Sequence, residues 1–346
     1  MHLPHLTPIR SLLACAVLLH TLAAHAQSGS VTGQVFCSDT QKPARFATVS
    51  ITSDFASSAS RGDFSSSFQN RRYGGGATAI TGPDGSFTLK NVSPGEYDLL
   101  VTFPGYVQPI RLLNLLASSD PATLQPWLNM LTRINVQAGQ TTNAIATIYR
   151  GADVLGTVAY DDGSPAGGLT VQALYAIPVG GTADSSLTAA NANLRYSGVN
   201  SVTDDHGKFH LSGLADGTYA VEATPRGGGN IFPVYLGNTI DRSQSQLIAV
   251  KAGSERSDLE IQIDINGLHQ VRGISLGADS RPLADSGVSL SLTTGGGDSL
   301  HTTTAIDGSF TFADVPDGKY TVAGGGSTQV TVNGSDITDV VLTATH

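Results

Sequence analysis

A chain of 346 residues that is 40% apolar and only 14% charged, with 40 glycines, is a folded, turn-rich chain, since disorder needs few apolar residues and many charges. Its 19 Lys and Arg stand against 28 Asp and Glu, for a formal net charge of −9, which excludes a basic face for nucleic acid or anionic lipid. The length allows two or three domains.

Residues 1–26 read as a secretory signal peptide. Arg10 precedes an apolar run from Leu12 to Ala24, and Ala24-His25-Ala26 is a small-residue cleavage site, so cleavage is expected between Ala26 and Gln27. The run is too short to span a bilayer comfortably, and no later segment is long and apolar enough to do so. The mature chain is therefore expected to be secreted or periplasmic, with no membrane span. Cys15 lies inside the apolar run rather than after it, which argues against a lipoprotein site. Without the leader Cys37 is alone, so no intrachain disulfide can form, and a small buried residue is expected there.

From Val31 onward the chain alternates. Val31-Thr32-Gly33-Gln34-Val35, a turn at Pro43 and Ala47-Thr48-Val49-Ser50-Ile51 predict two strands. Residues 54–76 form a Ser/Gly-rich insert, expected as a long loop; its Arg61-Gly62-Asp63 and Arg71-Arg72-Tyr73 are ordinary polar loop sequence. Then comes Asp84-Gly85-Ser86-Phe87-Thr88-Leu89, followed by Pro94-Gly95-Glu96-Tyr97. Residues 111–133 are the one helical candidate, with Ser119-Asp120-Pro121 as its start and Leu124, Trp127, Leu128 and Leu131 at helical spacing. Trp127, the single Trp, is expected to cover the sandwich edge, with stacking on a sugar ring as the alternative. Two closing strands, 133–139 and 142–149, complete the unit.

Gly151 begins a second unit almost without a linker. Val154-Leu155-Gly156-Thr157-Val158, Pro165 and Leu169-Thr170-Val171-Gln172-Ala173 repeat the opening, and residues 178–196 read as a polar insert. His206-Gly207-Lys208-Phe209 and Gly217-Thr218-Tyr219 follow, then a glycine-rich 226–230, an apolar stretch with Phe232 and Tyr235, and strands at 247–251 and 259–265. The third unit runs from Val271-Arg272-Gly273-Ile274 through Pro282, Val288-Ser289-Leu290-Ser291-Leu292 and Asp307-Gly308-Ser309-Phe310 to Gly318-Lys319-Tyr320, with closing strands at 329–332 and 337–342.

The three units share one offset pattern. A glycine (Gly85, Gly207, Gly308) is followed at +2 by Phe, at +4 by Leu or Phe, at +7 by Val or Leu, at +10 by Gly, at +12 by Tyr and at +14 by Leu99, Val221 or Val322. A repeat of this kind sets the architecture. Period-2 apolar pairs predict two strands joined by a short turn, which reads as a hairpin with one apolar face that needs a partner sheet. About seven strands per unit is the size of a small antiparallel sandwich.

The order Val-x-Gly-x-Val, a Pro turn, Val-x-Ile, Asp-Gly-x-Phe and Gly-x-Tyr resembles the carboxypeptidase regulatory-like domain. The first unit's Pro104-Gly105-Tyr106 is similar to that family's closing Gly-Tyr; the second unit departs with His206 in place of Asp, and the third lacks the close. The resemblance implies a transthyretin-like (prealbumin-like, Ig-like) β-sandwich and a non-catalytic module. The expected architecture is all-β: a signal peptide at 1–26 and three tandem sandwiches at 29–150, 151–267 and 268–346.

The chemistry-bearing residues do not assemble into a known motif. The mature chain has His206, His210, His269, His301 and His346 but no His-Glu-x-x-His, no Gly-x-Ser-x-Gly elbow, and no calcium loop at Asp161-Asp162-Gly163 or Asp204-Asp205-His206-Gly207. A Lys–Asn isopeptide crosslink is excluded because the first strands carry no Lys. No catalytic residue, cofactor or metal is expected. The favoured function is an interaction or spacer module at the cell envelope with an unknown protein or glycan partner. The alternative is a carbohydrate-binding protein using Trp127 and Tyr235, against which stands an aromatic content of 6%. A truncated relative of an outer-membrane receptor would need a transmembrane barrel of strands, and no such length follows.

Overall fold

Alternating apolar residues line one face of a strand, and in this chain they do so in three successive sets. The computed structural model describes residues 28–53, 77–117, 121–179, 187–225, 231–294 and 298–344. The expected signal peptide with Ala26 and Gln27, the insert at 54–76 and the glycine-rich 226–230 lie outside the described residues. The first set is β1 (Gly29–Cys37), β2 (Thr48–Ser53), β3 (Thr78–Ile80), β4 (Ser86–Val92), β5 (Gly95–Thr102), β6 (Thr132–Val136) and β7 (Thr141–Ile148). The second is β8 (Ala152–Tyr160), β9 (Leu169–Pro178), β10 (Ala192–Val202), β11 (Lys208–Leu214), β12 (Gly217–Pro225), β13 (Val234–Tyr235), β14 (Ile248–Val250) and β15 (Glu255–Ile263). The third is β16 (Leu268–Leu276), β17 (Gly287–Leu292), β18 (Ser299–Thr303), β19 (Ser309–Pro316), β20 (Gly318–Gly324), β21 (Gly326–Val332) and β22 (Ile337–Thr343).

Each set makes two sheets. The orders are β4-β1-β7 with β3-β2-β5-β6, then β11-β8-β15 with β10-β9-β12-β13 (β14 also pairs β12), then β19-β16-β22 with β18-β17-β20-β21. Each pair of sheets closes over its own core: Val31, Val49, Leu89 and Leu99 in the first, Val154, Val171, Leu211 and Val221 in the second, Val271, Leu290, Phe312 and Val322 in the third. Full burial of side chains of this size stabilises by roughly 1.5–3 kcal/mol each. Phe87, Phe209, Phe310, Tyr219 and Tyr320 are at most 5% exposed, and the half-buried Tyr97 packs against the first core. Cys37 is buried in that core as expected. The chain is thus all-β, three Ig-like sandwiches in tandem.

Two expectations about pairing change. The repeat's two strands do not form a hairpin. β4 pairs with β1, whereas β5 pairs with β2 and β6 in the opposite sheet, and β11/β12 and β19/β20 divide the same way. Period-2 spacing tells which residues face the core but not which sheet a strand joins. Also, the first and last strands of each unit pair in parallel, β1 with β7, β8 with β15 and β16 with β22, so one sheet of each sandwich is mixed.

The crossing between sheets explains the tyrosine. Tyr97, Tyr219 and Tyr320 donate from the phenol to the carbonyls of Ser93, Ala215 and Pro316, four residues back, at 2.9, 3.0 and 2.8 Å. This is the logic of a tyrosine corner, which pins a strand change with one side chain. The first-strand glycine is explained by close approach: a Cβ at Gly33, Gly156 or Gly273 would lie 2.0–2.4 Å from the carbonyl of Ala144, Leu259 or Val340 on the parallel strand and within 3 Å of the repeat's Phe ring. The turn glycines Gly85, Gly207 and Gly308 have φ of 72–78°, which glycine adopts without strain. Their carbonyls accept from Val35, Val158 and Ser275 of the first strands.

The helical stretch is two helices rather than one, α1 (Pro109–Leu115) and α2 (Pro121–Leu128), with Pro126 inside the second. A proline at the start of each is tolerated because its missing N–H has no helical partner there. The proposed cap at Ser119-Asp120 lies outside the described residues. In the second unit the expected insert at 178–196, whose residues 180–186 lie outside the described ones, is in its described part not simply an insert. After a single 3-10 turn at 189–191, β10 pairs with β9, Leu194 opposite Ala176, because Leu187, Ala189 and Leu194 bury against Leu174 and Ala176.

Candidate functional site

Buried polar groups occur inside each sandwich and also where one sandwich meets the next. At the first joint α1 and α2 pack Leu113, Leu124 and Trp127 into an apolar cluster that also takes Ala215, Tyr175 and Ile177 of the second unit. The Arg111 guanidinium donates to the Gly198 carbonyl across the joint. Beside this, Arg150 lies 5.6 Å from the centre of the Tyr106 ring and pairs with Asp153 at 2.8 Å. Asp153 also accepts from Ser212 and contacts His210 Nε2 at 3.0 Å. Burial works to raise the Asp153 carboxyl, but Ser212, Arg150 and His210 together hold it below the usual carboxylate range. Ser212, His210 and Asp153 are not arranged as a nucleophilic triad. The serine hydroxyl donates directly to the carboxylate, so no imidazole stands ready to take its proton.

The second joint is built on the outer face of the second unit's larger sheet. Glu222 points away from the core yet is only 1% exposed, and Tyr235 beside it is fully buried. Gln172 donates to Glu222 Oε1 at 3.1 Å, and Tyr235 donates to Asp298 of the third unit. A second bond, Thr294 to Asp241 at 2.7 Å, ties the same two units. Phe232 leaves the second unit to enter the third core, stacking 5.6 Å from Tyr320. Burial pushes the Glu222 carboxyl above its ordinary range, and neighbouring Asp298 adds to this, while Tyr235, Tyr196 and Arg242 oppose it.

The residues singled out for sugar stacking do not come together. Trp127 is in the first joint, 9% exposed, and Tyr235 is in the second with no exposed surface; a stacking platform needs a ring face in solvent, and neither offers one. Trp127 also lines a cavity of about 550 Å3 with Met130, Tyr149 and Arg150. His206 lies 2.7 Å from Asp205 and His210 contacts Asp153, so the two histidines serve different carboxylates. Asp204, Asp205 and His206 are close enough to share an ion but all exposed, and Asp204 is already used. It accepts from the backbone of His206 and Lys208, replacing the Asp84 and Asp307 turn bonds to Ser86 and Ser309 in the other units.

Sequence reasoning missed a threonine four residues before each repeat glycine. Thr81, Thr203 and Thr304 are buried. Each hydroxyl accepts from one backbone N–H, of Ala47, Leu169 or Ser286, and donates to one carbonyl, of Ala44, Ala166 or Leu283. The fixed offset was legible in the repeat. Glu222 was missed as well, although a lone acid inside Tyr219-Ala220-Val221-Glu222-Ala223 is a signal in itself.

No family model and no curated protein matches the sequence. Among solved structures the chain is similar to the Bacillus anthracis TIE protein (14% identity, TM-score 0.23, covering 92% of this chain and 51% of that one). It is also similar to GBS52, the minor pilin of Streptococcus agalactiae (17%, TM-score 0.32, 57% and 97%), and to a streptococcal ancillary pilin (12%, TM-score 0.29, 91% and 99%). The chain thus spans about half the length of the first of these. Identities and scores at this level carry nothing about what this chain binds or does. Among the described residues no helix is long and apolar enough to cross a membrane.

Proposed function

We propose that the chain is an exported, non-catalytic array of three carboxypeptidase regulatory-like modules, at 29–150, 151–267 and 268–346, acting as an interaction and spacer element at the cell envelope. One observation carries this reading: the residues that recur in all three units are used up in packing and turns. The Phe and Tyr rings fill cores, the glycines admit close strands, and the Thr and Asp side chains hold backbone groups. What differs between units lies at the joints and loops, where specificity resides in such scaffolds. Each joint carries buried apolar packing, the α1–α2 cluster at one and Phe232 at the other, which restrains the hinge motion expected of loosely joined domains. The leader-like 1–26 supports export. The carbohydrate-binding alternative loses its two candidate rings to the interior.

Small-angle scattering of the chain from Gln27 onward tests the array. An elongated particle with the cross-section of a single sandwich is expected; a single compact globule would overturn the reading.

A further inference from the structure

Beside the joint between the second and third sandwiches lies a cleft of about 810 Å3, within the range of roughly 300–1,000 Å3 typical of ligand sites, which favour such boundaries. Its floor is apolar, with Tyr160, Ile231, Ile263 and Leu268. Its charged lining is of one sign: Asp161 and Asp264 from the second unit, Asp314 and Asp317 from the third, and no Lys, Arg or His among the described lining residues. Some of this charge is engaged. Asp264 accepts from the backbone of Asn266 and Gly267, and Asp317 accepts from Gly334 and faces His269 at 3.3 Å. Asp161 takes Asn266 on Oδ2 at 2.8 Å and interacts with the Asp264 carboxyl, and its Oδ1 is buried from solvent.

We propose that this cleft docks a short peptide segment of a partner protein carrying lysine or arginine among apolar residues. The inference rests on the interaction-module reading. Charge complementarity sets the sign of the ligand, because four carboxylates around an apolar floor favour a cation and repel an anion. Their spread sets its size. The carboxylates come from both units, and the one group of three acidic or histidine ligands close enough to share an ion, among the described residues, is elsewhere, at 204–206. A single metal ion or ammonium would meet only part of the rim, whereas successive basic side chains meet several carboxylates. The apolar stems have a place too. Ile231 and Ile265 are 40% and 41% exposed at the cleft, and an alternating basic–apolar segment covers them as it pairs with the rim.

The test is a fluorescence-anisotropy titration of the full chain with labelled Val-Lys-Leu-Arg-Val, capped at both ends, and with the same peptide carrying Glu in place of Lys and Arg. The basic peptide is expected to bind at least roughly tenfold more tightly and to weaken as salt rises from about 0.02 M to about 0.5 M, since exposed charges are screened over that range. The double variant Asp161→Asn/Asp264→Asn should weaken it roughly tenfold, and Asp258→Asn, an exposed carboxylate outside the cleft, should not. Equal binding of the two peptides, salt-independent binding, an unaffected double variant, or displacement by an equal concentration of hexylammonium would each overturn the proposal. The two-peptide comparison uses the wild-type chain, so a variant that fails to fold leaves the test standing. An elongated particle that binds neither peptide refutes this site and leaves the array reading intact.

Discussion

A single hydroxyl at Thr203 holds two backbone groups that the fold hides from water. It accepts from Leu169 N–H at 2.9 Å and donates to the Ala166 carbonyl at 2.7 Å, in a side chain 4% exposed. Thr203→Val keeps the shape and removes both bonds. An orphaned buried donor or acceptor costs about 1–3 kcal/mol, so the unfolding transition of the second sandwich is expected to move to lower urea by an amount of that order. Thr81→Val and Thr304→Val should act in the same way on the first and third. A Thr203→Val chain with an unchanged urea midpoint would show that the bonds are replaced on substitution.

At the scale of the element, the parallel contact between first and last strands accounts for the glycine of Val-x-Gly-x-Val. In β8 an added Cβ at Gly156 would lie 2.4 Å from the Leu259 carbonyl of β15 and 2.6 Å from the Phe209 ring of β11. The ring can shift, but the strand backbone cannot shift without breaking its ladder. Gly156→Ala is therefore expected to destabilise the second unit by about 1–3 kcal/mol or more, read as a lower urea midpoint. Adding Phe209→Ala should fail to restore it. Recovery in the double variant would place the obstacle in the ring and not in the strand pairing. The tyrosine corner belongs to the same scale, because its one bond fixes the point where the chain leaves one sheet for the other.

For the molecule as a whole, the joints couple stability to pH. Glu222 is buried on the sheet that faces the third unit. Burial raises its carboxyl above the ordinary 4.5, so the folded state holds the proton more tightly than the unfolded chain. The groups around it are Gln172, Tyr196, Tyr235, Arg242 and, from the third unit, Asp298. For a raised acid the stabilisation is complete below the unfolded value near 4.5 and is lost as pH rises through the folded one. The thermal midpoint is thus expected to decline as pH rises above that value, and Glu222→Gln, which stays neutral and can keep its bond to Gln172, should remove that part of the decline. Asp153 and Asp241 have lowered carboxyls and act in the opposite sense, losing stability as pH falls. Superimposable pH profiles for wild type and Glu222→Gln would eliminate Glu222 as the coupling group.

The sequence by itself determined the three-fold repeat, most strand positions (β10, inside the expected insert, excepted) and the inward-facing rings at 87, 209, 219, 310 and 320, because alternation of apolar side chains is a local property that any two-layer β core must satisfy. Which sheet each strand joins was decided only in three dimensions. A short link between two alternating segments serves equally as a hairpin turn or as a crossing between sheets, and what selects the crossing is a hydroxyl bonded four residues back and a parallel strand more than a hundred residues away in the first two units. The same holds for the joints. Trp127 reads as covering a sandwich edge, yet the second unit completes its cover and Tyr235 reaches the third, and the acidic cleft is assembled from two units whose carboxylates lie as much as 156 positions apart, from Asp161 to Asp317. Local pattern sets what is buried, and the contacts between distant segments set where a partner can reach.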